Sequence, residues 1–386
     1  MSEVKRNLLN LDNMSWKEGF YQLFLGERLG LHDTINTSYP AIANMYKKQK
    51  EIDWDENEVA LYQDRIDMLE APKYIVDLMI KNLMYQWEFD SIAAHSFLVI
   101  LAPFITNPEL WRTLVRFTDV ECTHSATYSH IILNCIENTE SVFEEIQKNE
   151  KIKGRMNTVE KAFEQLDHLS AKKRLADYDD SIVLPSDQEM FNAVFKFLWA
   201  MYLAEGLQFT VSFAATFVCG ESQYFSGICA LVQKIANDEV FCHAMNLHNV
   251  FQILLKDDPR AKIALQQLGP ELKQMLKEVM DNEREWAKYL FSEGRKVVGL
   301  NYQLAVQYAE YRAFFIASTL GFNETDTPPD NPLPWMNRWL DIDSFQVALQ
   351  EIDNTNYKKI YVTESTDLSN DLIGDFKSRM QRLQKK

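Results

Sequence analysis

The sequence predicts an all-α protein, a bundle of long helices enclosing a cluster of acids and histidines. Three observations predict it. The 386 residues include only 12 glycines and 11 prolines, few for such a length, while 46% are hydrophobic and helix formers are plentiful. Apolar residues recur with a helical period through one long segment after another. Lone acids sit inside these apolar runs, and two of them, Glu121 and Glu239, precede a histidine by about one helical turn.

Residues 1–50 are expected to form an N-terminal arm and helix, with Trp16 to Leu25 amphipathic and Gly26 to Pro40 a turn-rich crossing segment. Ile52 to Glu58 reads as a loop entering a helix with an acidic first turn. Ala71-Pro72 opens a helix whose apolar period runs to about Pro103, with Asp90 inside it. Asn107-Pro108 starts the next, which continues to about Ile136, and the short link makes these two antiparallel neighbours.

Residues 140–176 are charged, helical and expected to be superficial, and Ser181 to Leu184, in an irregular insertion, is the one β-like run. Two helices follow over roughly 187–219 and 222–255, the second ended by Asp257-Asp258-Pro259. A long charged helix is expected from Pro270 to about Arg295, and another over 301–320. From 343 to 386 the chain turns polar without a sustained apolar period, the pattern of a mobile tail.

A net charge of −16 argues against a nucleic-acid binder, which needs basic stripes for phosphate. Five cysteines without a C-x-x-C pair, and an N-terminus without the apolar core of a signal peptide, fit a reduced, cytoplasmic setting. Phe197 to Val218 is long and apolar enough to span a bilayer, but Glu205 near its middle would be costly in lipid. A buried helix with Glu205 facing a cation accounts for the same residues, so no membrane partner is expected.

The chemistry gathers at Glu121-x-x-His124. In a helix these two share a face and can grip one ion, and Tyr128 lies one turn further along the same stripe. By itself this is better explained by an ordinary capped helix with a polar edge. A counterpart appears at Asp238-Glu239, with Cys242 and His243 following. With Asp90 and Glu205, the tally is four carboxylates and two histidines on four helices, the ligand set of a carboxylate-bridged dimetal centre in a bundle. Oxygen-rich ligation with one imidazole per ion suits Fe or Mn better than Zn.

Six fragments in one order then resemble the small, radical-generating subunit of class I ribonucleotide reductase, of the class Ia type. They are Asp64-Arg65-Ile66-Asp67, Asp90-Ser91-Ile92, Glu121-x-x-His124-x-x-x-Tyr128, Glu205-x-x-x-Phe209-x-Val211-Ser212-Phe213, Ile235-Ala236-x-Asp238-Glu239 and Asn331-Pro332-Leu333-Pro334-Trp335 through Trp339. The resemblance runs from about Trp54 to Tyr357.

It implies a ferritin-like, homodimeric domain over 51–342, with 343–386 as a tail docking on a separate large subunit. It implies two iron ions per chain, with Mn/Fe or Mn/Mn as alternatives. Asp90, Glu121 and His124 would hold one metal and Glu205, Glu239 and His243 the other, with bridging carboxylates between them. Dioxygen would leave a radical on Tyr128, shielded by Phe209, Phe213 and Ile235. Trp54 and Asp238 would connect His124 toward the surface, and Tyr357 would continue the path to the large subunit.

The sequence departs from the family in two places. Cys242 occupies the position where the family has its second histidine, and His243 comes one residue later, so either side chain could be the sixth ligand. A small local bulge would let His243 serve. The docking-like peptide Asp367 to Phe376 is followed by a basic extension, Lys377 to Lys386. Two other readings use the same scaffold: a di-iron oxidase or desaturase with its own small substrate, and an iron-storage or purely structural bundle.

Overall fold

The computed structural model describes residues 10–323 and 325–341. Tyr357, the docking-like peptide and the basic extension lie outside them. The described chain is helical, and its β structure is confined to two isolated bridges, Phe24 with Ile105 and Val297 with Leu300. Twelve longer helices carry the fold: α1 (Pro40–Glu51), α2 (Tyr62–Glu70), α3 (Lys73–Leu101), α4 (Pro108–Cys135), α5 (Thr139–Lys148), α6 (Asn157–Leu175), α7 (Asp187–Leu203), α8 (Thr210–Glu221), α9 (Ser226–Asp238), α10 (Met245–Asp257), α11 (Pro259–Leu290) and α12 (Tyr302–Thr319).

Local chemistry explains the principal boundaries. Helix α4 starts where Asn107 caps the backbone N–H of Leu110 at 2.8 Å and Pro108 takes the first position, which needs no amide hydrogen. Helix α7 opens with a capping box between Ser186 and Glu189. Asp64 and Asp67, on α2, cap a helix far along the chain. Asp67 accepts from Phe225 N at 2.8 Å, and Asp64 accepts from Gly227 N and Ile228 N at 3.2 and 2.8 Å, at the start of α9. A Cβ on Gly227 would lie 2.4 Å from the Asp64 carboxylate, so only glycine admits this cap.

Helices α3 and α4 lie side by side along their length, α7 packs against α6 and α11, and α1 lies on α4. Their shared interior holds Trp199, Trp286, Tyr85 and Tyr128, all fully buried. The apolar stretch Asp187–Glu221 is long and apolar enough to cross a membrane, and 94% of its most apolar window is buried inside this bundle.

Several expectations need correction. Trp16 to Leu25 is not a helix beyond the single turn Ser15–Glu18. Gly19 ends that turn at φ 68°, and the chain then runs extended, with Leu25 N and Leu23 O bonded to the link between α3 and α4. Residues 140–176 are not superficial, because α6 buries Val159, Phe163 and Leu166. Ser181 to Leu184 forms no strand. Asp258, as N-cap to Pro259, both ends α10 and starts α11, so Pro270 lies inside a helix. Its ring is on the exposed side, where a missing amide bond is least costly.

The two helices expected over 187–219 and 222–255 are each interrupted by a wide π-helical turn. One spans Ala204–Gln208 and the other Glu239–Ala244, and the two turns pack against each other. Gly206 makes that region close-packed, since a Cβ there would lie 2.9 Å from Ile316 of α12.

Candidate metal centre

Four segments bring the six predicted ligands together: α3 brings Asp90, α4 brings Glu121 and His124, the first π turn brings Glu205, and the second brings Glu239 and His243. All six are buried. Their donor atoms form two groups, each with atoms within 4.8 Å of one another. Asp90, Glu121, His124 and Glu239 make one; Glu121, Glu205, Glu239 and His243 make the other. Glu121 and Glu239 belong to both.

Many of the donor atoms have no hydrogen-bond partner. His124 Nδ1 lies 2.9 Å from Glu239 Oε1, yet neither atom has a hydrogen-bond partner. Both oxygens of Asp90, Glu121 and Glu205 are likewise buried without one. Buried carboxylates left this way are destabilising by several kcal/mol, about 3–5 for an ion stripped of its partner, and a pair of divalent cations satisfies them. The donor set therefore fits a dimetal centre.

Electrostatics agree. Burial, and then the neighbouring Glu121 carboxylate, hold Asp90 well above the ordinary carboxyl range, and burial with Glu239 does the same to Glu205. Burial would also raise Glu239, but His243, Glu205 and His124 hold it well below. Burial would lower both imidazoles; surrounding carboxylates, Asp238 first for His124 and Glu239 first for His243, hold them well above their usual value. Without a cation, protons do its work.

Of Cys242 and His243, only His243 belongs to a donor group. His243 Nδ1 is 3.0 Å from Glu121, 2.9 Å from Glu239 and 3.5 Å from Glu205. Cys242 is buried outside both groups, and burial pushes its thiol up to about 12. The bulge that lets His243 reach inward is the π turn itself. Two residues absent from the sequence reading hold this ring: Phe117 stacks on it at 3.5 Å, and the Gln49 side-chain amide is 2.7 Å from Nε2. Gln49 had a signal, being polar in the buried stripe Ile42, Met45, Gln49 of α1.

The remaining predicted residues connect to the same cluster. Trp54 Nε1 donates to Asp238 Oδ2 at 2.7 Å, and that oxygen lies 3.1 Å from His124 Nε2. Trp54, half-buried, thus reaches the cluster through two contacts. Tyr128 is fully buried, and its hydroxyl has no partner. Burial, then the charges of Asp90, Glu239 and Glu121, hold its phenol well above its ordinary value, so it stays protonated beside the cluster. Phe209, Phe213 and Ile235 are all buried.

The family description "Ribonucleotide reductase, small chain" matches residues 32–330, most of the chain. The chain belongs to that family. Among ribonucleotide reductase relatives, the ribonucleoside-diphosphate reductase 1 subunit beta of Salmonella typhimurium is 28% identical over 358 residues, covering 90% of this chain and 95% of the relative. The subunit beta of Haemophilus influenzae is 29% identical, covering 87% and 90%, and that of phage T4 is 26% identical, covering 89% and 93%.

Solved structures of similar fold include a ribonucleotide reductase R2 subunit from Clostridium botulinum, at TM-score 0.67, 16% identity and coverage of 83% and 94%. A dimanganese(II)-NrdF from Streptococcus sanguinis is similar at TM-score 0.63, 13% identity and coverage of 82% and 100%. The fold is the ferritin-like helical fold of these R2 subunits. The reductase small chain, an oxidoreductase subunit, is favoured over an oxidase with its own substrate.

Proposed function

We propose that this chain stores an organic radical on Tyr128 and delivers its oxidising power to a ribonucleotide reductase large subunit, where ribonucleotides are reduced. The observation that carries the reading is the pair of buried ligand groups sharing Glu121 and Glu239, with Tyr128 one turn beyond His124. Asp90, Glu121 and His124 would hold one ion and Glu205, Glu239 and His243 the other, with Glu121 and Glu239 reaching both. When bound, two iron ions, or Mn/Fe or Mn/Mn, supply redox chemistry with dioxygen.

The chain's own residues do the rest. Tyr128 supplies one electron and its hydroxyl proton to the reduction of dioxygen at the centre, and its buried surroundings keep water and reductants away from the oxidised ring. Trp54, Asp238 and His124 form the relay for electrons, with Asp238 holding the indole N–H and the imidazole in line. Tyr357 extends that relay through the tail toward the large subunit. The chain works as a homodimer in the cytoplasm.

Metal analysis with electron paramagnetic resonance tests the reading. Wild type is expected to bind two ions per chain and show a tyrosyl signal after exposure to oxygen. Tyr128→Phe is expected to bind the same two ions with no organic radical. A tyrosyl signal that survives in this variant would assign the radical elsewhere.

A further inference from the structure

A π turn shifts the helical hydrogen-bond ladder by one residue, and every residue of the turn carrying Glu205 is buried. After Gln208 the chain passes through Phe209, whose side chain cannot cap, and α8 begins without a side-chain cap of its own. A π-helical end there leaves a carbonyl to be satisfied, and a new helix start leaves amides, in a fully buried region.

Both kinds of group find a charged partner from elsewhere. Arg155 Nη2 donates to Gln208 O at 2.5 Å, and the Gln208 side-chain amide returns a bond to Arg155 O at 2.7 Å. Glu283 of α11 accepts from Val211 N at 3.4 Å, in the first turn of α8. Arg155 and Glu283 also pair directly with each other. Both side chains are at least 95% buried.

The guanidinium thus sits at the carbonyl end of the break and the carboxylate at the amide end. That is the polarity favoured at helix termini. The pair is itself held: Tyr85 lies flat against the guanidinium at 3.5 Å and donates to Gln208 O at 3.3 Å, while Trp286 donates to Ser212 Oγ at 3.0 Å.

We infer that the Arg155–Glu283 ion pair is a clip that replaces the hydrogen bonds interrupted after the first π turn, and so fixes where Glu205 stands. Arg155 and Glu283 are positioning residues; neither is among the donor groups of the cluster. The inference rests on Glu205 being a ligand of the second ion. Replacing a buried ion pair by apolar residues of similar size usually leaves stability unchanged or improved. A merely structural pair would therefore be dispensable, and a clip would not.

The test is Arg155→Met with Glu283→Leu in the full chain, compared with wild type by thermal melting, amide hydrogen exchange of the metal-free protein and Mn(II) titration followed by paramagnetic resonance. The double variant is expected to melt below the wild-type temperature, because Gln208 O and Val211 N lose their buried partners. Its amides over 204–212 should exchange faster, and its second Mn(II) should bind about 10- to 100-fold more weakly with the first unchanged, the usual penalty for losing an outer partner of a ligand. Arg155→Lys, which keeps charge without the planar fork, should weaken the second ion in the same direction by a smaller factor.

Wild-type exchange and two wild-type Mn(II) affinities in both variants would overturn the clip. Glu205→Ala separates the two levels. If it still binds two Mn(II) normally, the ligand reading fails, and the clip is then judged by exchange over 204–212 alone.

Discussion

The two donor groups are built on different backbones. Glu121 and His124 are three residues apart in the uninterrupted helix α4, which satisfies its own backbone. Glu239 and His243 are four apart, and the backbone between them widens into a π turn. A π turn takes about one residue more than an α turn, so four residues there sweep about the arc that three sweep in α4. What places a ligand is its angle about the helix axis, and a spacing in sequence is only a proxy for it. Both imidazoles have an outside partner, Asp238 for His124 and Gln49 with Phe117 for His243, but only the first π turn also draws on a buried ion pair, Arg155 with Glu283, for its backbone.

The largest effect that could break this comparison comes from removing a shared ligand. Glu121→Ala is expected to lose both ions, because its carboxylate belongs to both donor groups, while Glu205→Ala loses only the second. Metal stoichiometry per chain decides, and equal losses in the two variants would mean that the halves do not load separately.

The register comes next. His243→Ala should cost the second ion, whereas Cys242→Ser, which alters a buried thiol outside the donor groups, should leave the metal spectrum unchanged. The reverse pattern would make Cys242 the ligand and the π turn incidental.

A smaller effect concerns pH in the metal-free protein. Asp90, Glu205, His124 and His243 all titrate above their ordinary values in the fold. Each therefore favours folding while protonated, fully so below its ordinary value, and loses that contribution as pH rises through the raised one. Glu239 is opposite in sign, its contribution present above 4.5 and lost as pH falls. Raising pH from about 6.5 to about 8.5 should thus lower the melting temperature of the metal-free protein and leave the metal-bound protein less affected, since cations then replace the protons. A metal-free melting temperature that climbs over this range would contradict the protonated cluster.

The cluster of acids and histidines was legible in the sequence because its chemistry is unusual: a lone acid in an apolar helix, such as Asp90 or Glu205, has few uses. Long helices with strong starts, α4 above all, were legible for the same reason. The first π turn was not, because Ala204 to Gln208 reads as ordinary apolar helix, and the second was legible only through the displaced histidine. Asp64 capping α9, and Glu283 reaching Val211, join residues more than 70 positions apart. Nothing local announces such contacts. The start of α11 was legible in principle, since Asp258-Pro259 is a complete start signal, and was obscured by Pro270, whose breaking tendency counts for little on an exposed face.

The turn at Glu239–Ala244 also bears on how this protein can change length. Adding or removing one residue inside a buried helix rotates everything beyond it by about 100°, which would ordinarily turn a core face outward. Here the wide turn takes up the surplus, and α10 beyond it still buries Leu247, Val250, Phe251 and Leu254. Loss of the Cys242 codon should therefore relax the π turn into plain helix, bring the imidazole of His243 three positions after Glu239, and leave α10 in register. A single-residue deletion in the heart of the core would then give a folded protein that still binds two ions, where the same deletion one turn beyond His124 in α4 would not.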